Sequence, residues 1–368
     1  MVSDLKVSDS KASGLTMENA NLRVTISPKT GCITSLYHKR SNFEALASGA
    51  CGNQLQTFKD TPKDYDAWNI DPGTLDHMTP IDAVDSAELI ERGPLRAVIR
   101  VSRIWQSSKF VQDITLYAGS DQVDVVNDID WHETHVLLKA AFPLAATSSH
   151  ATYEIPFGSI ERSTTRNNSW EQAQFEVPAQ RWADLGDKEH GFSLINESKF
   201  GYDDQGNVLR LTLLRSPTWP DPEADRGHHH FAYALYPHAG DWKQALTVRH
   251  GYEYNYPLRA VQVAAHAGAS DPQHSFASVQ PENVVLTAMK KAEDSDSLIF
   301  HAYEWAGKSS NVKFTVPEGA TSATVINLLE QAQGSPLTTA GNQVVVPIHP
   351  FEIIAIRVDY QRAARSTP

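Results

Sequence analysis

The sequence predicts an all-β protein built from sandwiches of antiparallel sheet, a larger one followed by a smaller one, and three observations carry that expectation. Apolar residues recur at every second position through most of the chain, the pattern of strands with one buried face. The alternating runs are short and separated by Pro, Gly, Asn, Asp and Ser at hairpin-like spacing. Helical periodicity is confined to one stretch, so nothing competes with the sheet assignment.

Along the chain, Leu22, Val24 and Ile26 share one face of a strand in Asn21–Ile26. Pro28, Lys29, Thr30 and Gly31 supply a turn, and Cys32–Tyr37 fits the second arm of a hairpin. Arg96–Trp105 and Phe110–Tyr117 read as strands; Gln122–Ile129 sets Val123, Val125 and Asn127 against Asp124, Val126 and Asp128. Val136–Phe142, Gly191–Ile195, Val208–Leu214 and His230–Tyr236 continue the meander. The helical stretch is Gly240–His250, where Trp242, Ala245, Leu246 and Val248 would face a core. Between Ala260 and Pro281 the run from Ala264 to Pro272 is small, polar and turn-forming, without a core pattern. A linker over 263–282 therefore divides a larger domain, 21–262, from a smaller sandwich, 283–360, built on Val284–Met289, Leu298–Tyr303, Thr324–Leu328 and Phe351–Val358. Residues 1–20 form an approach segment, and 361–368, poor in apolar residues, should fray.

Composition narrows the function classes. No apolar run approaches the roughly 20 residues of a membrane-spanning helix, and Met1–Lys11, with Asp4, Lys6, Asp9 and Lys11, does not read as a secretory signal. A cytoplasmic location is expected. The formal net charge is −12, from 32 Lys and Arg against 44 Asp and Glu, with no long basic run, which disfavours a nucleic-acid partner. Cys32 and Cys51 could bridge, but two cysteines in 368 residues is not the density of a disulfide-stapled domain, so they are expected free and buried. Neither GxGxxG nor GxxxxGK[ST] occurs, and GxSxG is absent, so phosphate-cradling and acyl-transfer chemistry have no motif to stand on.

The candidate chemistry lies elsewhere. His132-Glu133-Thr134-His135 has HExH spacing rather than HExxH, and in a strand residues three apart point to opposite faces, so these imidazoles should not share an ion. In Asp225-Arg226-Gly227-His228-His229-His230, His228 and His230 lie on one side of an extended strand; they read as hydrogen-bonding imidazoles at a strand start, with a two-histidine metal site as the weaker alternative. Asp64, Asp66 and Asp71, among Tyr65 and Trp68, suit a sugar-contacting loop, since aromatic faces stack on pyranose rings while carboxylates take hydroxyl hydrogens; a solvated loop with Trp68 in the core is the other reading. Ser169-Trp170-Glu171 and Arg181-Trp182-Ala183-Asp184 fit either rim contacts or loop anchors.

Five segments carry a resemblance: GNQLQTFKDTPKDYDAWNID (Gly52–Asp71), NDIDWHETHVLLKAAFPL (Asn127–Leu144), YEIPFGSIERSTTRNNSWEQAQFEVPAQRWADL (Tyr153–Leu185), LLRSPTWPDPEADRGHHHFAYALYPH (Leu213–His238) and ENVVLTAMKKAEDSDSLIFHAYEW (Glu282–Trp305). Long, in order and spread over nearly the whole chain, they resemble the C-terminal half of the retaining, zinc-dependent α-mannosidases of glycoside hydrolase family 38. The resemblance implies a galactose-mutarotase-like β supersandwich followed by a smaller β-sandwich. It places the Asp nucleophile and the two-His, two-Asp zinc set on an N-terminal barrel and helical bundle without counterpart here. No catalytic residue and no bound cofactor is therefore expected in this chain, zinc belonging to the complete enzyme. The implied partners are those N-terminal domains and, in the complete enzyme, a mannoside. Implied cleft contacts are Asp66, Trp68, Asp71, Arg162, Trp170, Asp225, Arg226 and His228. A free-standing carbohydrate-binding module using Trp68, Trp170 and Trp182, and an aldose 1-epimerase-like enzyme, are the alternatives.

Overall fold

A computed structural model describes residues 3–10, 14–268 and 271–361. The chain folds as two units: the described residues of Met1–Ile155 with Ile160–Pro257, and those of Pro156–Ser159 with Leu258–Pro368. The larger unit holds three antiparallel sheets. The first opens with Lys6–Ser10 and Gly14–Glu18, so the segment expected as an approach contributes two strands, which lead into Leu22–Ile26, Ile33–His38 and Phe43–Glu44. A nine-stranded sheet runs in the order Gly158–Ser163, His150–Ile155, Trp182–Gly186, His190–Asn196, Gly227–Ala239, Val123–Trp131, Ser108–Tyr117, Arg96–Trp105 and Ser86–Arg92. A six-stranded sheet runs Val177–Pro178, Gly201–Gln205, Val208–Leu214, Val136–Pro143, Gln54–Lys59 and Met78–Pro80.

Alternation decides which face is buried. Val123, Val125, Ile129 and Trp131 join the core with Phe110 and Ile114 of one neighbouring strand and Phe231 and Tyr233 of the other, while Leu138, Ala140, Phe142, Leu209 and Leu211 reach it from the six-stranded sheet. A polar chain crosses this core: Arg103 Nη1 donates to Gln112 Oε1 at 3.0 Å, Gln112 Nε2 to Asn127 Oδ1 at 2.8 Å, and the Tyr233 hydroxyl to Asn53. Arg103 is 2% exposed, and burial lowers its pKa to about 10.

Cys32 and Cys51 are not free. An isolated bridge between Ile33 and Gly52, with N–H···O distances of 2.9 Å in both directions, brings the adjoining cysteines to a Cα separation of 5.0 Å, and they form a disulfide. The expected helix over Gly240–His250 begins later, at Thr247, and runs to Asn255, because Leu246 takes left-handed backbone with φ 55° and 241–246 coil through turns. Trp242, Ala245 and Val248 are buried there.

The smaller unit pairs Ser278–Gln280, Ser310–Thr315, Gln343–Ile348 and Thr339–Ala340 in one sheet, and Val284–Lys291, Leu298–Glu304, Ile353–Tyr360 and Ala320–Ile326 in another. Its core contains Val284, Phe300, Val312, Phe314, Val344 and Ile356. Residues 257–268 have no regular structure and are exposed, and the tail expected to fray lies, past Gln361, outside the described residues. No described helix is long and apolar enough to cross a membrane.

Candidate functional site

The loop after Gln54–Lys59 leaves the six-stranded sheet and is tied to the loop after Val208–Leu214, two strands away across Val136–Pro143. Arg215 makes the tie: Nε donates to Asp60 Oδ2 at 2.6 Å, and the two Nη groups donate to the carbonyls of Asp66 (3.1 Å), Ala67 (3.2 Å) and Asn69 (2.6 Å). Burial raises the Asp60 pKa and the Arg215 charge opposes that rise. A guanidinium fork suits the task because it satisfies a carboxylate and several carbonyls from one planar group.

A second tie lies at Asp66. Its Oδ2 accepts from the backbone N–H of Thr218 at 2.7 Å and of Trp219 at 3.2 Å, and His135 Nε2 lies 3.1 Å from both that oxygen and Thr218 Oγ1. Burial raises the Asp66 pKa, but these donors outweigh it and hold the carboxyl below its ordinary value. The result is an exposed aromatic surface. Trp68 is 64% exposed, with its ring edge-on to Trp219 at 5.4 Å, and Tyr65 and Trp219 are exposed beside it. Trp68 is thus not in the core. The Asp71 carboxylate closes the loop on itself, accepting from the Lys63 N–H at 2.8 Å.

Beyond Asp71, Pro72, Gly73, Leu75 and Asp76 line a cavity of about 310 Å³, together with Arg166, Gln172 and Phe175; Asp203 and Arg210 also line it. Beneath lies a buried ionic chain: Arg210 Nε donates to Asp203 Oδ1 at 2.7 Å, Lys139 Nζ sits 2.8 Å from Asp203 Oδ2, and Lys139 also pairs with Glu176. Trp170 sits on the short helix Ser169–Gln172 of this wall, capped by the Asn168 side chain, and is 83% exposed. The loops bearing Asp71 and Trp170 therefore border one cavity.

The remaining predicted residues stand apart. Arg162 packs over the Tyr153 ring at 4.8 Å and donates to the Pro178 carbonyl. Asp225 takes left-handed backbone and offers its carbonyl to His229, and Arg226 is exposed on the same turn. His228 and His230 face the neighbouring strand, 3.7 Å from Asp130 and 3.9 Å from Asp128, with side chains 79% and 72% exposed. No group of three or more His, Cys, Asp or Glu among the described residues is placed to hold a metal ion. The two-His, two-Asp set that the resemblance implies for zinc has no counterpart among the described residues. The HExH residues take separate partners: His132 pairs with Asp130, Glu133 accepts from Ser107 and Ser108, and His135 meets Asp66. Trp182 cannot stack on a ligand, being fully buried against Trp242 at 5.1 Å. Arg215 and Trp219, which build the site, fall outside the predicted set; their signal is the Arg215-Ser216-Pro217-Thr218-Trp219-Pro220 turn, where two prolines rigidify the approach to an exposed tryptophan.

Comparison with known proteins follows the same division of the chain. The profile of the glycosyl hydrolases family 38 C-terminal domain matches residues 17–223, and that of the family 38 C-terminal beta sandwich domain matches residues 283–356. Alpha-mannosidase 2C1 of Mus musculus is 36% identical over 345 residues, 92% of this chain and 33% of the relative. Alpha-mannosidase G of Dictyostelium discoideum is 33% identical over 94% of this chain and 33% of its own length. The chain thus spans about a third of these relatives. Among solved structures, an alpha-mannosidase from Enterococcus faecalis superposes with a TM-score of 0.79 at 17% identity, over 96% of this chain and 43% of that one.

Proposed function

The chain belongs to glycosyl hydrolase family 38 by its C-terminal domains, and from that premise we propose that it is the C-terminal part of an α-mannosidase which, joined to the family's catalytic domains, takes part in hydrolysing terminal α-D-mannosyl residues with retention. In this reading it supplies cleft wall and support rather than chemistry. The observation that supports it is the surface of Tyr65, Trp68 and Trp219, held outward by Arg215 and Asp66. Aromatic faces suit the C–H faces of a pyranose, and a loop fixed before binding loses little entropy on contact. Asp66, Trp68 and Asp71 are the proposed contacts on this loop, with Arg162 and Trp170 from the segment after Ile155 and Asp225, Arg226 and His228 from the turn after Trp219.

Retaining hydrolysis needs a nucleophile and an acid/base carboxyl about 5 Å apart. The family resemblance assigns that machinery, and the zinc, to the N-terminal domains. This polypeptide alone is therefore expected to release no nitrophenol from p-nitrophenyl α-mannoside, with or without added zinc, and to support release once combined with the N-terminal domains of a close relative. Release by the chain alone that a chelator abolishes would overturn the reading.

A further inference from the structure

The larger unit has a second cavity, about 520 Å³, on the face of the nine-stranded sheet that points away from the core. In Trp182–Gly186, Ala183 and Leu185 enter the core, so Asp184 points the other way, opposite Thr152 of the neighbouring strand. Asp184 and Thr152 line the cavity with His150, Lys188, Trp242 and Lys243. Its volume lies within the roughly 300–1,000 Å³ of small-molecule sites.

Asp184 is only 4% exposed, and its protein partners all gather on one carboxylate oxygen. Oδ2 accepts from the Ser193 hydroxyl at 2.7 Å and lies 2.8 Å from His238 Nε2; Ser193 Oγ is in turn 2.8 Å from Thr247 Oγ1, at the start of the helix. These three residues fix the carboxylate's direction. Oδ1 accepts from none of these donors and is not closed off from solvent, so it is the carboxylate oxygen left open to a donor in the cavity.

Charge selects what kind of donor. Asp187 and Asp241 line the cavity and each use Oδ1 in a local turn, accepting from the N–H groups of Glu189 and His190 and of Gln244 respectively. A cationic ligand meets Lys188 and Lys243, and an anionic one meets Glu161, Asp184, Asp187 and Asp241. A hydroxyl escapes both penalties, because it donates to a carboxylate and accepts from an ammonium or a threonine hydroxyl at once. We propose that this cavity binds a neutral, hydroxyl-rich ligand, one or two sugar rings of a glycan, with Asp184 Oδ1 taking a hydroxyl proton and Lys188 and Thr152 contacting neighbouring hydroxyls. The site is separate from the aromatic loop and does not rest on the mannosidase reading.

The test is a titration of the full, isotope-labelled chain with methyl α-mannoside, α-mannobiose, glucosamine hydrochloride and mannose 6-phosphate, followed by amide chemical shifts. The neutral mannosides should bind with a dissociation constant on the order of 1 mM and move amides in 147–152, 184–188 and 241–243. Lys188→Ala and Thr152→Val, which leave the Ser193–His238 support intact, should each weaken binding by several-fold, and Asp184→Asn by roughly tenfold or more where its unfolding midpoint shows it folded. Absence of shifts at about 20 mM mannoside, shifts confined to the Trp68 and Trp219 loops, or tighter binding of glucosamine or mannose 6-phosphate would each overturn the proposal. A silent p-nitrophenyl assay has no bearing on these outcomes, and a failed titration leaves the mannosidase reading standing.

Discussion

Asp204 shows how one residue sets a pH response. Neighbours on the strand Gly201–Gln205 alternate faces, so Asp203 finds Arg210 and Lys139 while Asp204 is turned the other way, 1% exposed, with neither carboxylate oxygen hydrogen-bonded to a side chain or backbone donor. Burial, reinforced by the charge of Asp203, raises its pKa from 3.8 to about 7. Between those values the folded chain holds a proton that the unfolded chain has released. Its stabilising contribution is therefore complete below about 3.8, falls as pH rises, and is lost above about 7. Asp204→Asn should raise stability at pH 8 by about 1–3 kcal/mol and by less at pH 5, read from urea midpoints at the two pH values; equal effects would remove the account. Sequence cannot single out Asp204 among 44 acidic residues, because its isolation depends on strand phase. Aromatics beside carboxylates mark the loop of Asp66 and Trp68 in sequence, but the exposure of Trp68 cannot be read there, and Arg215 acts through residues some 150 positions away.

Elements are most legible where one residue type repeats with the strand period. Val208–Leu214 is a strand over its expected span, and the all-β class follows from many such runs. The disulfide escapes a sequence reading because its partners are brought together by the lone Ile33–Gly52 bridge, which has no periodic signature. The helix start is displaced because a turn ending in a left-handed Leu246 places apolar residues at helix-like intervals without being helical. The Cys32–Cys51 link closes a separation of 19 residues, worth about 3 kcal/mol on loop-entropy grounds. Cys32→Ser with Cys51→Ser, or reduction by dithiothreitol, should lower the larger unit's stability by about that amount and leave the smaller unit's transition in place, as seen in calorimetry with both transitions resolved. Denatured, unreduced protein should show no reactive thiol towards a thiol reagent. Because such links persist in oxidising compartments and are kept open in the cytosol, the same thiol count on protein taken from its cells reports the compartment and tests the cytoplasmic expectation.

At the scale of the whole molecule, each unit has its own core, and the described residues between Pro257 and Ser278 form no strand or helix. The stretch is small and polar in composition. Arg259 is exposed in it, so limited trypsin treatment of the native chain should cut there before any site inside the sheets, giving two fragments with boundaries readable by mass spectrometry. An early cut within 96–131 instead would contradict this description. Where the site's supports lie along the chain also dictates when it can form. Asp60 and Arg215 are 155 residues apart, and between them lie the strands that must first align the two loops. Joining ends so distant brings an entropic toll that only the assembled sheets can offset, so the surface of Trp68 and Trp219 is among the last parts of the larger unit to take shape. On the ribosome it cannot exist until Trp219 has emerged, and any shortage of sheet stability is felt there first.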